Sequence, residues 1–175
     1  MIRFEHVSKK YPAGNFSLEN VQFEIERGDF VFLIGASGAG KTTILRLILR
    51  ELVPDEGTVI IDNNPISLPS FNKIEDLRKK IGSIFQDFKI MYDKNVLENI
   101  LISLAILDSK KPKEEALEAL RKVGLEKKAL FFPIQLSAGE LQRLAIARAV
   151  AGGRSIILAD EPTGNLDPIT TWEII

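Results

Sequence analysis

The chain has no cysteine and a single histidine among its 175 residues. Without thiols it can form no disulfide, build no thiolate metal centre and use no cysteine nucleophile, and it suits a reducing compartment. Neither sign of charge dominates. Lys and Arg total 23 against 24 Asp and Glu, for a net charge of −1. That balance offers no electrostatic reason for nucleic-acid binding or a strongly basic membrane face, and no nucleic-acid partner is expected. Long apolar runs are missing as well: the richest, Ile100 to Leu107, falls short of the about 20 residues that a membrane span needs. The opening residues, Met1 to Val7, carry neither the basic flank nor the apolar core of a secretion signal, so a cytosolic location is expected. No repeat, low-complexity tract or linker interrupts the chain, and a 45% hydrophobic content can bury a full core. A single globular unit over 1–175 is therefore expected, with a helical subdomain at about 88–150.

What the chain does have is Gly35-Ala-Ser-Gly-Ala-Gly-Lys-Thr42, the spacing of a Walker A phosphate loop. The apolar run Phe30 to Ile34 before it reads as a buried parallel strand, and Thr42 to Arg50 behind it reads as a helix. Strand, glycine loop and helix form the setting this motif requires. Gly35, Ala36, Ser37, Gly38, Ala39 and Gly40 can turn backbone N–H groups toward phosphate oxygens at the positive end of the helix. Lys41 can reach the β and γ phosphates, Thr42 can offer its hydroxyl to Mg²⁺, and Thr43 continues the cradle. A glycine-rich turn matching by chance is the plain alternative, weakened by every further motif.

Short strands are expected at Ile2 to Val7, Val21 to Ile25, Thr58 to Asp62 and Ile81 to Phe85, the last ending at Gln86. From Asn95 to Leu136 the periodicity becomes helical. Val96, Ile100, Leu101 and Leu104 recur at helix spacing, and Lys113 to Val123 forms an amphipathic helix stopped by Gly124. Ser137 stands at an N-cap position before the helix Glu140 to Val150, and Ser155 to Ala159 reads as a strand that delivers Asp160 and Glu161. A carboxylate at the end of an apolar strand is costly to bury unpaired, so Asp160 is expected to face Mg²⁺ through water. Glu161 beside it can polarise an attacking water as general base. Adjacent acids in a solvated turn are the alternative.

In order along the chain, Gly35–Thr42, Gln86, Leu136-Ser-Ala-Gly-Glu140, Ile156–Asp160 with Glu161, and Asn165-Leu-Asp167 resemble the ATP-binding cassette (ABC) ATPases. The resemblance implies an α/β P-loop fold with an N-terminal antiparallel β subdomain and a helical insert. It implies ATP and Mg²⁺ as cofactors, with Gln86 and Asp160 at the metal and Glu161 as base. Tyr11 matches the family's aromatic position that stacks on adenine. Ser137, Gly139 and Asp167 match positions that approach nucleotide held by a second copy, so a homodimer with ATP at its interface is implied. Finer details, among them Phe85-Gln-Asp-Phe-Lys-Ile90 and Asn165-Leu-Asp-Pro168, are similar to the cell-division branch of the family. That branch works at the inner face of the cell membrane through an integral partner, FtsX, and controls peptidoglycan hydrolases. Asp87, Lys89 and Asp93, beside Phe88, Ile90 and Met91, are where such a partner should dock, with packing into the protein's own core as the alternative for the apolar three.

Ala138 and Glu140 stand where the family's signature commonly has glycine and glutamine. Arg143 and Arg148 read as the solvated face of the signature helix. The family's switch histidine would lie about 30 residues past the Walker B acid, beyond Ile175, and His6 in the first strand reads as a structural or surface residue. The C-terminal part of the nucleotide-binding core is therefore expected to be missing, with weak or no turnover. Rival readings are a P-loop kinase or GTPase, which needs no signature, and a chromosome-maintenance ATPase, which needs a long coiled coil. An ATPase of lipoprotein release or macrolide export and an ATP-dependent binding module without efficient turnover complete the field.

Overall fold

The computed structural model describes residues 1–11 and 16–162, and the chain divides into two compact units, residues 1–77 and 78–175. The first unit contains β1 (Ile2–Lys10), β2 (Phe16–Ile25), α1 (Lys41–Ile48), β3 (Glu56–Ile61) and β4 (Asn64–Pro65). Its strands form one antiparallel sheet in the order β2-β1-β3-β4. Ile2 and Phe4 face the core, and strict alternation would bring His6 in next. One extra residue on β1 prevents this: Phe4 pairs with Phe23 but Val7 with Val21, and Glu5 pairs with Thr58 but Ser8 with Glu56. The bulge resets the phase, so Val7 is buried while His6 stays exposed at φ 52°. The His6 ring nitrogen Nδ1 lies 2.9 Å from Asn20 Oδ1, and the only histidine is thus a surface residue of the bulge.

The run Phe30 to Ile34 departs from the strand expected there. It belongs to neither sheet, and Phe30, Phe32 and Ile34 are 84%, 69% and 94% exposed. An apolar sequence becomes a buried strand only where neighbours take its backbone N–H and C=O groups and cover both faces, and hydrophobicity alone supplies neither. Among the described residues no strand ladders against it.

α2 (Ile74–Lys79) crosses the division in sequence, and the second unit continues with β5 (Ile81–Ile84), α3 (Val96–Ile106), α4 (Pro112–Lys122), α5 (Ala138–Val150) and β6 (Ile156–Ala159). β5 and β6 are parallel neighbours, Ile81 opposite Ile156 and Ile84 opposite Ala159. The three longer helices come between them in sequence, as the helical insert expected, and Val96, Ile100, Leu104, Leu120 and Leu144 are fully buried in their shared core. Each such side chain contributes about 1.5–3 kcal/mol through removal from water. Local signals set the helix ends. Asn95 caps α3, its side chain accepting from the Glu98 N–H while the Glu98 carboxylate accepts from the Asn95 N–H, both at 2.8 Å. Gly124, at φ 72°, follows α4 in the left-handed conformation that ends a helix. The α/β class, the antiparallel β subdomain and the helical insert are as the sequence implied.

Candidate functional site

In the first unit the glycine loop leads directly into α1. Gly38 and Gly40 take φ values of 79° and 91°, the left-handed region in which a side chain would be strained, and Gly40 is the N-cap of α1 with no side-chain cap. Gly40 thus brings no side chain to the first turn of the helix. Lys41 turns back over the loop, its Nζ donating to the carbonyls of Gly35 (2.8 Å) and Ala36 (2.9 Å). Thr43 is buried, and its Oγ1 lies 3.3 Å from the Tyr11 hydroxyl. That link brings Tyr11 to the start of the loop's helix, two features 32 positions apart in sequence.

In the second unit the register of β5 and β6 brings two motifs to one place. Ile84 lies opposite Ala159, and the Asp160 N–H donates to the Ile84 carbonyl at 3.0 Å. Gln86, two residues beyond β5, and Asp160 and Glu161, directly beyond β6, therefore share the carboxyl end of a parallel strand pair, where α/β sheets commonly place their ligand sites. Gln86 and Glu161 are exposed, Asp160 half-buried. Glu161 holds φ 46°, a conformation that costs a non-glycine residue about 1–3 kcal/mol.

After Gln86 the chain makes an unusual turn. Phe88 and Lys89 are both left-handed, at φ 58° and 47°. The turn is held by Arg148 of α5, whose Nη1 donates to the Lys89 carbonyl (2.5 Å) and Nη2 to the Phe88 carbonyl (2.8 Å). Burial, with a smaller effect from Arg154, holds the Arg148 guanidinium below the usual arginine range. Arg148 is thus not on a solvated face, because main-chain carbonyls replace its water. Beyond the turn Ile90 is buried and Phe88 packs against the helical core, while Asp87 and Lys89 pair at 2.6 Å and stay well exposed. Buried Asn99 then grips the next stretch, its Oδ1 accepting from the Met91 N–H and its Nδ2 donating to the carbonyls of Met91, Lys94 and Asn95.

Ser137 caps α5 as the sequence suggests. Its Oγ accepts from the Glu140 N–H at 3.3 Å, and the Glu140 carboxylate accepts from the Ser137 N–H at 3.0 Å. Gly139 is buried. The sequence reading missed Lys128, whose Nζ meets the Glu140 carboxylate at 2.5 Å. The Lys128 hydrogen bond first, then the Ser137 N–H, hold the Glu140 carboxyl below its ordinary value of 4.5. A depressed carboxylate pKa gives stability that is complete above the ordinary value and lost as pH falls through the depressed one. Glu140→Gln should accordingly lower the unfolding free energy measured in urea at pH 7 by about 0.5 kcal/mol, and the gap should close as pH drops below 4.5. A gap that persisted unchanged into strong acid would show that the charge contributes nothing. Asp167 lies outside the described residues.

In the second unit the donors at the carboxyl end of β5 and β6 are oxygens, the Gln86 amide and the Asp160 carboxylate. Among the described residues no group of three or more His, Cys, Asp or Glu could hold a metal ion. A few oxygen donors without an all-protein cage suit Mg²⁺, which keeps waters and shares its shell with phosphates. No helix among the described residues is long and apolar enough to cross a membrane.

Comparison with known proteins agrees with these features. A family model described as ABC transporter matches residues 18–164. The cell division ATP-binding protein FtsE of Bacillus subtilis strain 168 is 41% identical over 177 aligned residues, which take in 100% of this chain and 78% of that protein. FtsE of Escherichia coli K12 is 46% identical over 169 residues, 95% of this chain and 76% of its own length. Among solved structures, a dimeric post-hydrolysis state of the ATP-binding cassette MJ0796 bound to ADP and Pi superposes with a TM-score of 0.85 at 38% identity, covering 99% of this chain and 79% of that one.

Proposed function

This chain belongs to the ABC transporter family of ATPases, and we propose that it is the ATP-hydrolysing subunit of an FtsE-type membrane complex that acts with FtsX in bacterial cell division and in control of peptidoglycan hydrolases. The observation that carries the chemistry is the shared position of Gln86, Asp160 and Glu161 at the carboxyl end of β5 and β6. The glycine loop binds the phosphates through its N–H groups and Lys41, and Tyr11 offers a ring to the adenine. Thr42, Gln86 and Asp160 would hold Mg²⁺, which supplies charge for the phosphate oxygens. Glu161 orients a water for attack on the γ-phosphorus and accepts its proton as the bond to the ADP oxygen breaks, leaving ADP and phosphate. Ser137, Gly139 and Asp167 serve nucleotide held by a second copy, so the working form is a homodimer.

The similarity to FtsE supports the cell-division role and a position at the inner membrane face through a partner. Asp87, Lys89 and Asp93 are exposed members of the proposed docking segment. Phe88 and Ile90 pack inward, which removes them from the docking surface and makes Phe88→Ala a test of stability instead. Charge reversal at Lys89 places two carboxylates side by side at the surface and should weaken co-purification with FtsX.

Glu161→Gln removes the base but leaves the phosphate-binding groups in place. With the complete protein supplied, the variant should bind ATP, lose hydrolysis by a factor of about 100 or more, and accumulate as an ATP-dependent dimer in light scattering. A strictly monomeric variant at saturating ATP, alone and with FtsX, would refute the shared-site reading.

A further inference from the structure

We infer that Arg148 is the positioning residue for Gln86, locking the turn behind that glutamine onto the helix that begins at Ser137. This rests on the reading that Gln86 serves Mg²⁺. The guanidinium spans 59 and 60 positions of sequence to reach the two carbonyls, at 2.5 and 2.8 Å. The two residues that present those carbonyls are the consecutive left-handed pair Phe88 and Lys89. Left-handed conformations are disfavoured for both side chains and persist only where surroundings over-determine them. A rigid fork that takes two successive carbonyls is such a determinant, and arginine supplies one where lysine, with a point charge on a flexible stem, does not.

Three further observations tie the fork to Gln86. The Phe88 N–H donates to the Phe85 carbonyl at 3.0 Å, so the turn closes around Gln86 and Asp87 themselves. The other end of that closed turn is anchored in β5, whose last residue, Ile84, is in register with Ala159 next to Asp160. No ion pair is formed by Arg148 among the described residues, and its half-buried guanidinium is given to the two carbonyls. Without the fork, Phe88 and Lys89 can relax toward ordinary backbone conformations, and the amide of Gln86 loses its fixed aim. Because α5 carries Ser137 at its N-terminus, the same fork makes the Gln86 turn and the signature a single mechanical piece within the second unit. A shift of either is then passed to the other.

The test is the gain in ATP affinity that Mg²⁺ confers, read by calorimetry on the full chain with and without the metal. In the unmutated protein the metal should tighten binding. Arg148→Met should cut that gain about tenfold, as loss of a residue that orients a metal ligand does, with metal-free ATP binding within about twofold of the unmutated value. Arg148→Lys should fall between the two, and amide exchange at Phe88 to Ile90 should accelerate in both variants. A purely structural role would instead lower binding with and without metal in parallel, and that result overturns the inference. If Arg148→Met does not fold, Arg148→Lys carries the test, and an unaltered Mg²⁺ gain there overturns it equally. Gln86→Ala separates the layers. Retention of the full gain in Gln86→Ala overturns the underlying role of Gln86 and this inference with it, whereas loss of the gain beside an unchanged Arg148→Met overturns the inference alone.

Discussion

Lys41→Ala should abolish about half to five-sixths of the thermal stabilisation that Mg²⁺-ATP gives the unmutated chain. At a nucleotide concentration about 100 times the dissociation constant, a ligand that binds only the folded form stabilises it by about 2.7 kcal/mol, which for a chain of this size raises Tm by about 5–10 °C. A hydrogen bond to a charged group contributes about 1.5–3 kcal/mol, so losing the lysine weakens binding by about one to two powers of ten. At the same ATP concentration about 0.4–1.4 kcal/mol of stabilisation would remain. The variant without nucleotide should melt close to the unmutated protein, because Gly35 to Ala39 are exposed, Lys41 is only half-buried, and the lysine's own partners are the carbonyls of Gly35 and Ala36, which water can replace. The comparison thus isolates ligand binding from folding. Equal Tm shifts in both proteins would show that the loop is not the phosphate site.

The largest expected loss of stability comes from a methyl group. A Cβ added at Gly82 in β5 would lie 2.1 Å from the carbonyl oxygen of Ala149 in α5 and 2.8 Å from the Ile157 side chain in β6. The first neighbour is backbone, so relief requires α5 to move away from β5 by about 1 Å, and overpacking of this kind costs about 3 kcal/mol or more. The displaced helix is the one that carries Ser137 and Arg148, and the strand is the one that leads to Gln86. Gly82→Ala should therefore lower the urea midpoint steeply with little change in the denaturant slope, and it should reduce Mg²⁺-ATP affinity in whatever folded protein remains. An unfolding free energy within about 0.5 kcal/mol of the unmutated protein's would mean that helix and strand do not approach so closely.

Much of this was legible before any coordinates. The phosphate loop is a contiguous stretch whose conformation depends on its own glycines, so Gly38 and Gly40 adopt the left-handed values that the spacing implies. Ser137 with Glu140 is likewise a capping box that the sequence spells out within four residues, and Gly124 ends α4 where the apolar period stops. Periodicity placed Val96, Ile100 and Leu104 on a buried face because those side chains carry their own free energy of transfer. In each case the determining interaction lies within a turn or two of chain, or belongs to the side chain itself.

The remainder depended on partners that sequence does not label. Arg148 reads as a surface arginine until its acceptors are seen, because they are main-chain carbonyls that any residue would present, far away in the chain. Gly82 has no unusual φ to betray it, and its need for a bare α-carbon comes from the backbone of Ala149. The shift that buries Val7 and leaves His6 outside arises from ladders with β2 and β3, and the apolar run from Phe30 to Ile34 looks like a strand although no described strand pairs with it. Sequence alone determined the family, the glycine loop and most of the local elements, since these rest on side-chain identity and short spacing. Tertiary structure decided how Gln86 is held and how closely α5 meets β5, because backbone-to-backbone approach and carbonyl acceptance are chemically the same at every position and acquire meaning only when distant segments are brought together.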